Sequence, residues 1–173
     1  QGVTLIGSQP IVEYFDETVD RMPMIHGNAQ LRAEIRRVTE WFDIKLYREA
    51  VEPLTRMLAD EEFEVRQMAA FALGLLADPS SRPPLQKALD DPEPIVQGRA
   101  AEALGSIGDR ADAEAIAGMV RRHIAAGALA KIEPDDVTYP LDPPVEAARL
   151  GIYALAKIKS YEALASAVLG VLL

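Results

Sequence analysis

The sequence predicts an all-α fold, a short solenoid of stacked helical pairs. Residues 50–78 and 81–109 match at a spacing of 31, and within them Ala69–Gly74 falls on Ala100–Gly105 with a single difference. A fixed period of this size is typical of repeats in which each helical pair buries its apolar face against the next pair. Apolar residues also recur three or four positions apart, as on one face of a helix. An example is the series Val65, Ala69, Ala72, Leu73 and Leu76.

The first 48 residues predict a different organisation. Gly2–Ile6 has the β-branched content of one short strand. Ser8 follows at the position expected for the N-cap of a short helix. Residues 21–28 are interpreted as a linker, and apolar spacing predicts a longer helix over about Ala29–Tyr47. Because one strand cannot form a sheet, we expect this segment to be mainly helical.

Each repeat beyond this segment is predicted to contain two helices joined by a turn. Asp91 followed by Pro92 indicates an N-cap and a proline at the first position of a second helix. The third repeat is interrupted, because Val145–Ile158 matches the preceding second helix at a spacing of 51, which is 31 plus 20 extra residues. The predicted units are domains 1–48 and 49–173, an insertion at about 123–142 and a partial fourth helix at Tyr161–Leu169.

Residues 50–169 resemble HEAT repeats of the short, phycobilisome-lyase-like type. The resemblance is carried most fully by Val96–Asp109, which contains nearly the whole repeat signature. It implies an α-solenoid whose second helices line a concave side, and a role in binding or scaffolding. The repeats mark a scaffold and carry no chemistry of their own, so the bilin attachment associated with some relatives does not follow from them.

Residues 3–56 are similar to part of a glutathione transferase. Val3–Glu17 resembles the last strand and third helix of that family's thioredoxin-like domain, and Arg32–Glu49 resembles the first helix of its all-helical domain. The resemblance implies that Ser8 contacts the γ-glutamyl end of glutathione. The first βαβ unit, which carries the family's activating residue, is absent from the sequence. Since this resemblance and the HEAT resemblance overlap at Arg48–Leu54, we interpret the chain as a mosaic of the two, which is a fusion, an engineered chimera or a generated sequence.

Charge and composition exclude several classes of function. The formal charge is −9, and an acidic surface repels phosphate backbones, so we expect no nucleic-acid partner. No apolar run reaches the roughly 18 to 20 residues of a membrane span, so we expect no membrane association. The sequence contains no cysteine, which excludes disulfides and thiolate metal ligands and fits a reducing compartment. We expect a soluble, cytoplasmic protein.

No motif predicts a metal or cofactor site. His26 and His123 lack convergent partners and are interpreted as ordinary surface histidines. The acidic run Glu133–Asp136 lacks the alternating ligand spacing of a calcium loop and is interpreted as solvated. Trp41 and Phe42 are interpreted as core residues of the N-terminal helices, with a hydrophobic acceptor pocket as the alternative.

The best candidate for a functional surface is the side lined by the second helices. Phe71, Glu102 and Tyr153 occupy equivalent repeat positions, and helical geometry places Phe71 far from the centre of its apolar stripe. Exposed aromatic side chains flanked by polar groups are typical partner anchors. The alternative is that a neighbouring segment covers Phe71. The predicted partner-binding residues are Gln67, Phe71, Arg99, Glu102, Arg149 and Tyr153.

These observations favour a non-enzymatic interaction or scaffolding module that binds another protein. The alternative is a glutathione-transferase-related protein without its catalytic half, in which Ser8 is a relic glutathione contact. No catalytic residue, metal or cofactor is assigned. The apolar C-terminal end, which includes Leu164, Val168 and Leu169, predicts a weak homodimer, because the last unit of a repeat array needs a polar outer face.

Overall fold

The computed structural model describes residues 28–128, 130 and 141–169. The chain divides into two compact units, Gln1–Leu46 and Tyr47–Leu173. The described residues form helices and turns and contain no strand, which confirms the all-α prediction. None of these helices is long and apolar enough to cross a membrane. The predicted strand at Gly2–Ile6, Ser8 and His26 all lie outside the described residues.

The described part of the first unit is the helix α1 (Ala29–Leu46), where apolar spacing predicts it. The Oδ1 atom of Asn28 accepts a hydrogen bond from the Leu31 backbone N–H at 2.9 Å, so Asn28 caps the helix. Trp41 and Phe42 are 56% and 57% exposed. The interpretation of both side chains as core residues is therefore wrong.

The second unit consists of helical pairs that follow a π-helical turn at Tyr47–Val51. The first helices of the pairs are α2 (Glu52–Met57), α4 (Arg82–Ala88), α6 (Ala113–Ala125) and α8 (Tyr161–Leu169). The second helices are α3 (Phe63–Leu76), α5 (Pro94–Ile107) and α7 (Pro143–Lys157). Short 3₁₀ turns at Pro79–Ser81 and Arg110–Asp112 precede α4 and α6. This unit is the predicted solenoid.

Proline determines how the second unit begins. Pro53 lies in the first turn of α2, directly after the π-helical turn Tyr47–Val51. A proline has no N–H to donate, and its ring clashes with the carbonyl four residues earlier, which here belongs to Glu49. A wider turn before Pro53 relieves this clash and leaves α2 intact.

Glycine and alanine let the second helices approach almost backbone to backbone. A Cβ atom added to Gly105 of α5 would lie 2.8 Å from the Cα atom of Ala154 on α7. One added to Gly74 of α3 would lie 2.9 Å from the Cα atom of Ala103 on α5. The second helices therefore form one close-packed layer, and the solvent side of this layer carries the candidate site.

The first helices cover the other side of this layer and complete the core. α6 packs against both α7 and α8, so the third repeat keeps its helical pair in spite of the interruption. Each leucine or isoleucine side chain buried in this way contributes about 1.5 to 3 kcal/mol to stability before entropy is subtracted. The largest fully buried side chains include Leu73, Leu85, Leu104, Ile116, Met119 and Leu155.

Aspartates close the turns before the second helices, although not as the sequence predicts. α5 begins at Pro94 with Glu93 as its N-cap residue, so the expectation of an Asp91 N-cap followed by Pro92 in the helix is wrong. Asp91 Oδ1 accepts a hydrogen bond from the Glu93 backbone N–H at 2.9 Å, and the same carboxylate binds Arg66. Because the Asp91 carboxylate is used in this turn, it does not cap the helix, and the helix starts two residues later than predicted.

Replacing Ala77 with glycine should stabilise the fold. Ala77 ends α3 in the left-handed region at φ 52°, and Gly108 ends α5 in the same way at φ 85°. A left-handed alanine costs about 1 to 2 kcal/mol, of which the greater freedom of unfolded glycine cancels about 0.5 to 1 kcal/mol. Urea denaturation should therefore show Ala77→Gly to be more stable by about 0.5 to 1 kcal/mol. Gly108→Ala should lose a similar amount, and a gain in that variant would contradict the argument.

The predicted insertion is described only at its ends. α6 continues to Ala125, past the predicted start at 123, because Ile124 packs against the core. Gly127 then turns the chain at φ 87°, and the Ala128 N–H donates to the His123 carbonyl at 3.0 Å. Residue 129 and residues 131–140 lie outside the described residues, so a projecting loop stays a prediction.

The C-terminal helix α8 has the predicted bounds, Tyr161–Leu169. Leu164 packs against the core, whereas Leu169 is 56% exposed. Residues 170–173 lie outside the described residues. Self-association through this end of the array therefore stays a prediction.

Candidate functional site

The solvent side of α3, α5 and α7 carries a group of polar and aromatic side chains that we call the second-helix face. All six predicted partner-binding residues lie on these helices, and all are exposed or half-buried. Contacts between side chains add three residues that the sequence did not suggest. The second-helix face comprises Gln67, Phe71, Arg99, Glu102, Ser106, Arg149, Tyr153 and Lys157, together with the buried Glu146 that pairs with Arg149.

Phe71, Arg99 and Glu102 form one cluster between α3 and α5. The guanidinium carbon of Arg99 lies 5.4 Å from the centroid of the Phe71 ring, a cation–π distance. The Nη1 atom of Arg99 also lies 2.8 Å from Oε2 of Glu102. Phe71 is half-buried, since the Arg99 side chain covers one part of the ring and solvent reaches another. Its role as a partner anchor stays a prediction.

Glu146 and Arg149 form an ion pair on α7. Arg149 donates two hydrogen bonds to the Glu146 carboxylate, at 2.8 Å from Nε and 2.6 Å from Nη2. The Arg149 hydrogen bond lowers the pKa of Glu146 against the opposing effect of burial, and the charge of Arg99 lowers it further. Glu146 therefore stays an anion well below neutral pH. Its spacing of three residues from Arg149 is the sequence signal that could have found it.

Tyr153, Lys157 and Ser106 connect α7 back to α5. The Nζ atom of Lys157 lies 5.9 Å from the centroid of the Tyr153 ring and 2.9 Å from Oγ of Ser106. Ser106 Oγ in turn donates to the backbone carbonyl of Glu102 at 3.2 Å. Ser106 and Lys157 are equivalent repeat positions at a spacing of 51, which was the available signal for this pair.

His123 is not the surface histidine that the sequence suggested. It is only 9% exposed, and its Nε2 atom lies 2.8 Å from Oε1 of Gln97. The Nε2 amide group of Gln97 donates to the Asp91 carbonyl at 2.6 Å, so its Oε1 atom faces His123 and accepts the imidazole N–H. Burial, reinforced by the charge of Arg122, lowers the pKa of His123. The sequence did not predict this contact, because Gln97 and His123 belong to different repeats.

Acid should destabilise the fold through His123. Its pKa is lowered in the folded chain, so the unfolded chain binds the proton more readily and stability falls as the pH drops below about 6.5. The loss is complete below the lowered, folded-state pKa. Urea denaturation of the wild type between pH 7.5 and pH 5 should show this decline, and His123→Gln should show a shallower one. Equal slopes in the two proteins would show that His123 does not contribute.

No part of the described chain offers a metal centre. Among residues 28–128, 130 and 141–169, no group of three or more His, Asp or Glu side chains could hold a metal ion. His123, the histidine within these ranges, is engaged with Gln97.

Comparison with known families identifies the repeats. The family model for HEAT repeats matches residues 51–130. This part of the chain is similar in sequence to HEAT repeats. The match covers the first two repeats and the first helix of the third, so the HEAT resemblance inferred from the sequence is confirmed over this range.

Two curated relatives, both deoxyhypusine hydroxylases, are similar to parts of this chain. The deoxyhypusine hydroxylase of Aspergillus oryzae is 33% identical over 109 residues, which are 61% of this chain and 32% of the relative. The deoxyhypusine hydroxylase of Aspergillus clavatus is 42% identical over 69 residues, which are 39% of this chain and 21% of the relative. The chain thus spans about a third or less of the length of the curated relatives it matches.

These relatives correct the function predicted from the sequence. Both are named as enzymes, which conflicts with the interpretation of a non-enzymatic scaffolding module. The glutathione-transferase resemblance of residues 3–56, and the alternative function built on it, receive no support from these matches. A HEAT repeat is a scaffold that binding proteins and enzymes share, so its signature alone does not separate the two classes.

Proposed function

We propose that these HEAT repeats form the substrate-binding part of an enzyme related to deoxyhypusine hydroxylases. The observation that carries the proposal is the 33% identity over 109 residues with the Aspergillus oryzae enzyme. The second-helix face, formed by α3, α5 and α7, is the surface through which we expect the substrate protein to bind. Repeat arrays commonly bind partners through such extended surfaces.

The described residues do not fit a hydroxylase iron centre. Non-haem iron oxygenases hold their metal with two histidines and one carboxylate that leave open positions. Within the described ranges His123 stands alone as a histidine, and it is nearly buried against Gln97. We therefore derive no oxidative step from these residues and assign them the recognition of the substrate.

The chemistry of the second-helix face suits a lysine-derived side chain. Deoxyhypusine is a lysine side chain extended by an aminobutyl group, so it combines a long aliphatic stem with positive charge. Aromatic rings and carboxylates are the groups that bind such cations. The face offers Phe71 and Tyr153 as rings, with Glu102 as a half-buried carboxylate. The formal charge of −9 also attracts a cationic partner at long range.

Titration with a short deoxyhypusine-containing peptide tests this function. Calorimetry should show saturable binding that is about tenfold tighter than binding of the same peptide with norleucine at that position, because the norleucine peptide lacks the cation. Phe71→Ala/Tyr153→Ala should weaken binding about tenfold. Tyr161→Ala removes a ring that is more exposed than Tyr153 from α8, outside the second-helix face, and should leave binding unchanged.

Two results would overturn the proposed function. The first is a flat titration of the wild-type chain with the deoxyhypusine peptide. The second is equal affinity for the deoxyhypusine and norleucine peptides, since the charged side chain would then contribute nothing. Equal losses in Tyr161→Ala and in Phe71→Ala/Tyr153→Ala would place the binding surface elsewhere on the chain.

A further inference from the structure

A narrow groove lies between the C-terminal halves of α3 and α5. It is a small, partly open depression with a cavity volume of about 50 Å³. Gly74 and Ala103 form its floor, where the two helices are in closest contact. The groove is lined by Phe71, Gly74, Leu75, Glu102, Ala103 and Ser106.

The two walls of the groove differ in character. On α3, Phe71 offers a half-buried ring and Leu75 a side chain that is 72% exposed, so this wall presents apolar surface to solvent. On α5, Glu102 and Ser106 offer a carboxylate and a hydroxyl group. Glu102 carries the one formal charge among the lining residues. An aliphatic stem that ends in a positive charge matches both walls.

Three of the groove residues already contact basic side chains of the chain itself. The Arg99 guanidinium lies over the Phe71 ring and 2.8 Å from Glu102 Oε2. At the other end, Lys157 Nζ donates to Ser106 Oγ at 2.9 Å. Neither basic side chain is among the residues that line the groove. The positions that they occupy are where an incoming cation would find its partners.

We propose that this groove binds the alkylammonium end of a side chain from the substrate protein. The stem packs on Leu75 and Phe71, and the ammonium group donates to the Glu102 carboxylate in competition with Arg99. The identity of the side chain as deoxyhypusine rests on the proposed function, whereas the alkylammonium chemistry rests on the groove alone. Arg99 then acts as an internal competitor that holds the groove closed to weaker ligands.

Butylammonium chloride is the probe that tests the groove without any substrate protein. We would titrate the intact chain and follow the backbone amide signals of Gly74 and Ala103 by NMR, with sodium chloride as the reference salt. Wild-type signals should shift saturably with butylammonium only. Glu102→Gln should weaken the interaction about tenfold, because it removes a charge-assisted hydrogen bond. Phe71→Leu should weaken it about threefold.

Arg99→Gln is the variant in which we expect tighter, not weaker, binding of butylammonium. Removing the internal competitor should tighten butylammonium binding about threefold, since Glu102 and the Phe71 ring become free. The matched control for Glu102→Gln is Glu114→Gln, which removes a carboxylate from an Arg–Glu pair on α6 outside the groove, where Arg121 lies 2.5 Å from Glu114. This control should bind like the wild type. Weaker binding in Arg99→Gln would overturn the proposal, as would a loss of affinity in Glu114→Gln equal to the loss in Glu102→Gln.

The groove and the proposed function can fail separately. If the deoxyhypusine peptide binds the wild type but Glu102→Gln and Phe71→Leu bind it equally well, the groove proposal is wrong and the function stands. If butylammonium binds in the groove as described but the peptide does not bind, the function is wrong and the groove stands. Signals at Gly74 and Ala103 that do not respond to butylammonium would overturn the groove proposal.

Discussion

Replacing Gly105 with alanine should lower the free energy of unfolding by about 2 to 3 kcal/mol. The added Cβ atom would lie 2.8 Å from both the Cα and the Cβ atoms of Ala154, closer than carbon atoms pack. Neither contact is with a flexible side chain, so the helices α5 and α7 would have to move apart. This loss outweighs the gain of up to about 1 kcal/mol that alanine brings to a helix interior.

Gly118→Ala is the matched control for Gly105→Ala. Gly118 also lies inside a helix, α6, but its added Cβ atom would meet nothing closer than the tip of Arg121 at 3.9 Å. The same substitution should therefore raise the free energy of unfolding by about 0.5 to 1 kcal/mol. Urea denaturation of both variants gives the comparison. Changes of the same sign would mean that close packing of α5 on α7 does not limit residue size at Gly105.

Local features of the fold could be predicted because each is encoded by nearby residues. The repeat of 31 residues predicts the helical pairs, and the small side chains of the second helices account for their close contacts. Gly108 ends α5 in the left-handed conformation, as a glycine at a helix end indicates. The start of α5 was misplaced because Asp91 has two possible partners, and Arg66 on α3 favours the turn over the cap.

The candidate site was only partly predictable because its contacts join different repeats. The period identified Phe71, Glu102 and Tyr153 as equivalent positions, but it does not say which side chains touch. Glu102 meets Arg99 on its own helix, whereas Ser106 meets Lys157 at a separation of 51 residues. The function was harder still to predict from the sequence, because the ion pairs and rings of the second-helix face suit a scaffold and an enzyme's substrate site equally.

Replacing Asp112 with alanine should lower the free energy of unfolding by about 3 kcal/mol. Asp112 is fully buried and accepts two hydrogen bonds from Arg82, each at 2.9 Å, and a further one from Gln86. Removing the carboxylate leaves these donors without their buried acceptor. Arg82 keeps its ion pair with Asp109 and is partly exposed, so the loss stays below that of a fully buried charge.

The preceding repeat supplies the control for Asp112→Ala. Ser81 occupies the equivalent position 31 residues earlier and is also fully buried, but among the described residues its Oγ atom has no hydrogen-bond partner. Ser81→Ala removes an unsatisfied polar group and should stabilise the fold by about 1 kcal/mol. Urea denaturation of the two variants should thus give opposite signs at equivalent positions. If Asp112→Ala and Ser81→Ala changed stability equally, burial alone would govern this position and the Arg82 network would contribute nothing.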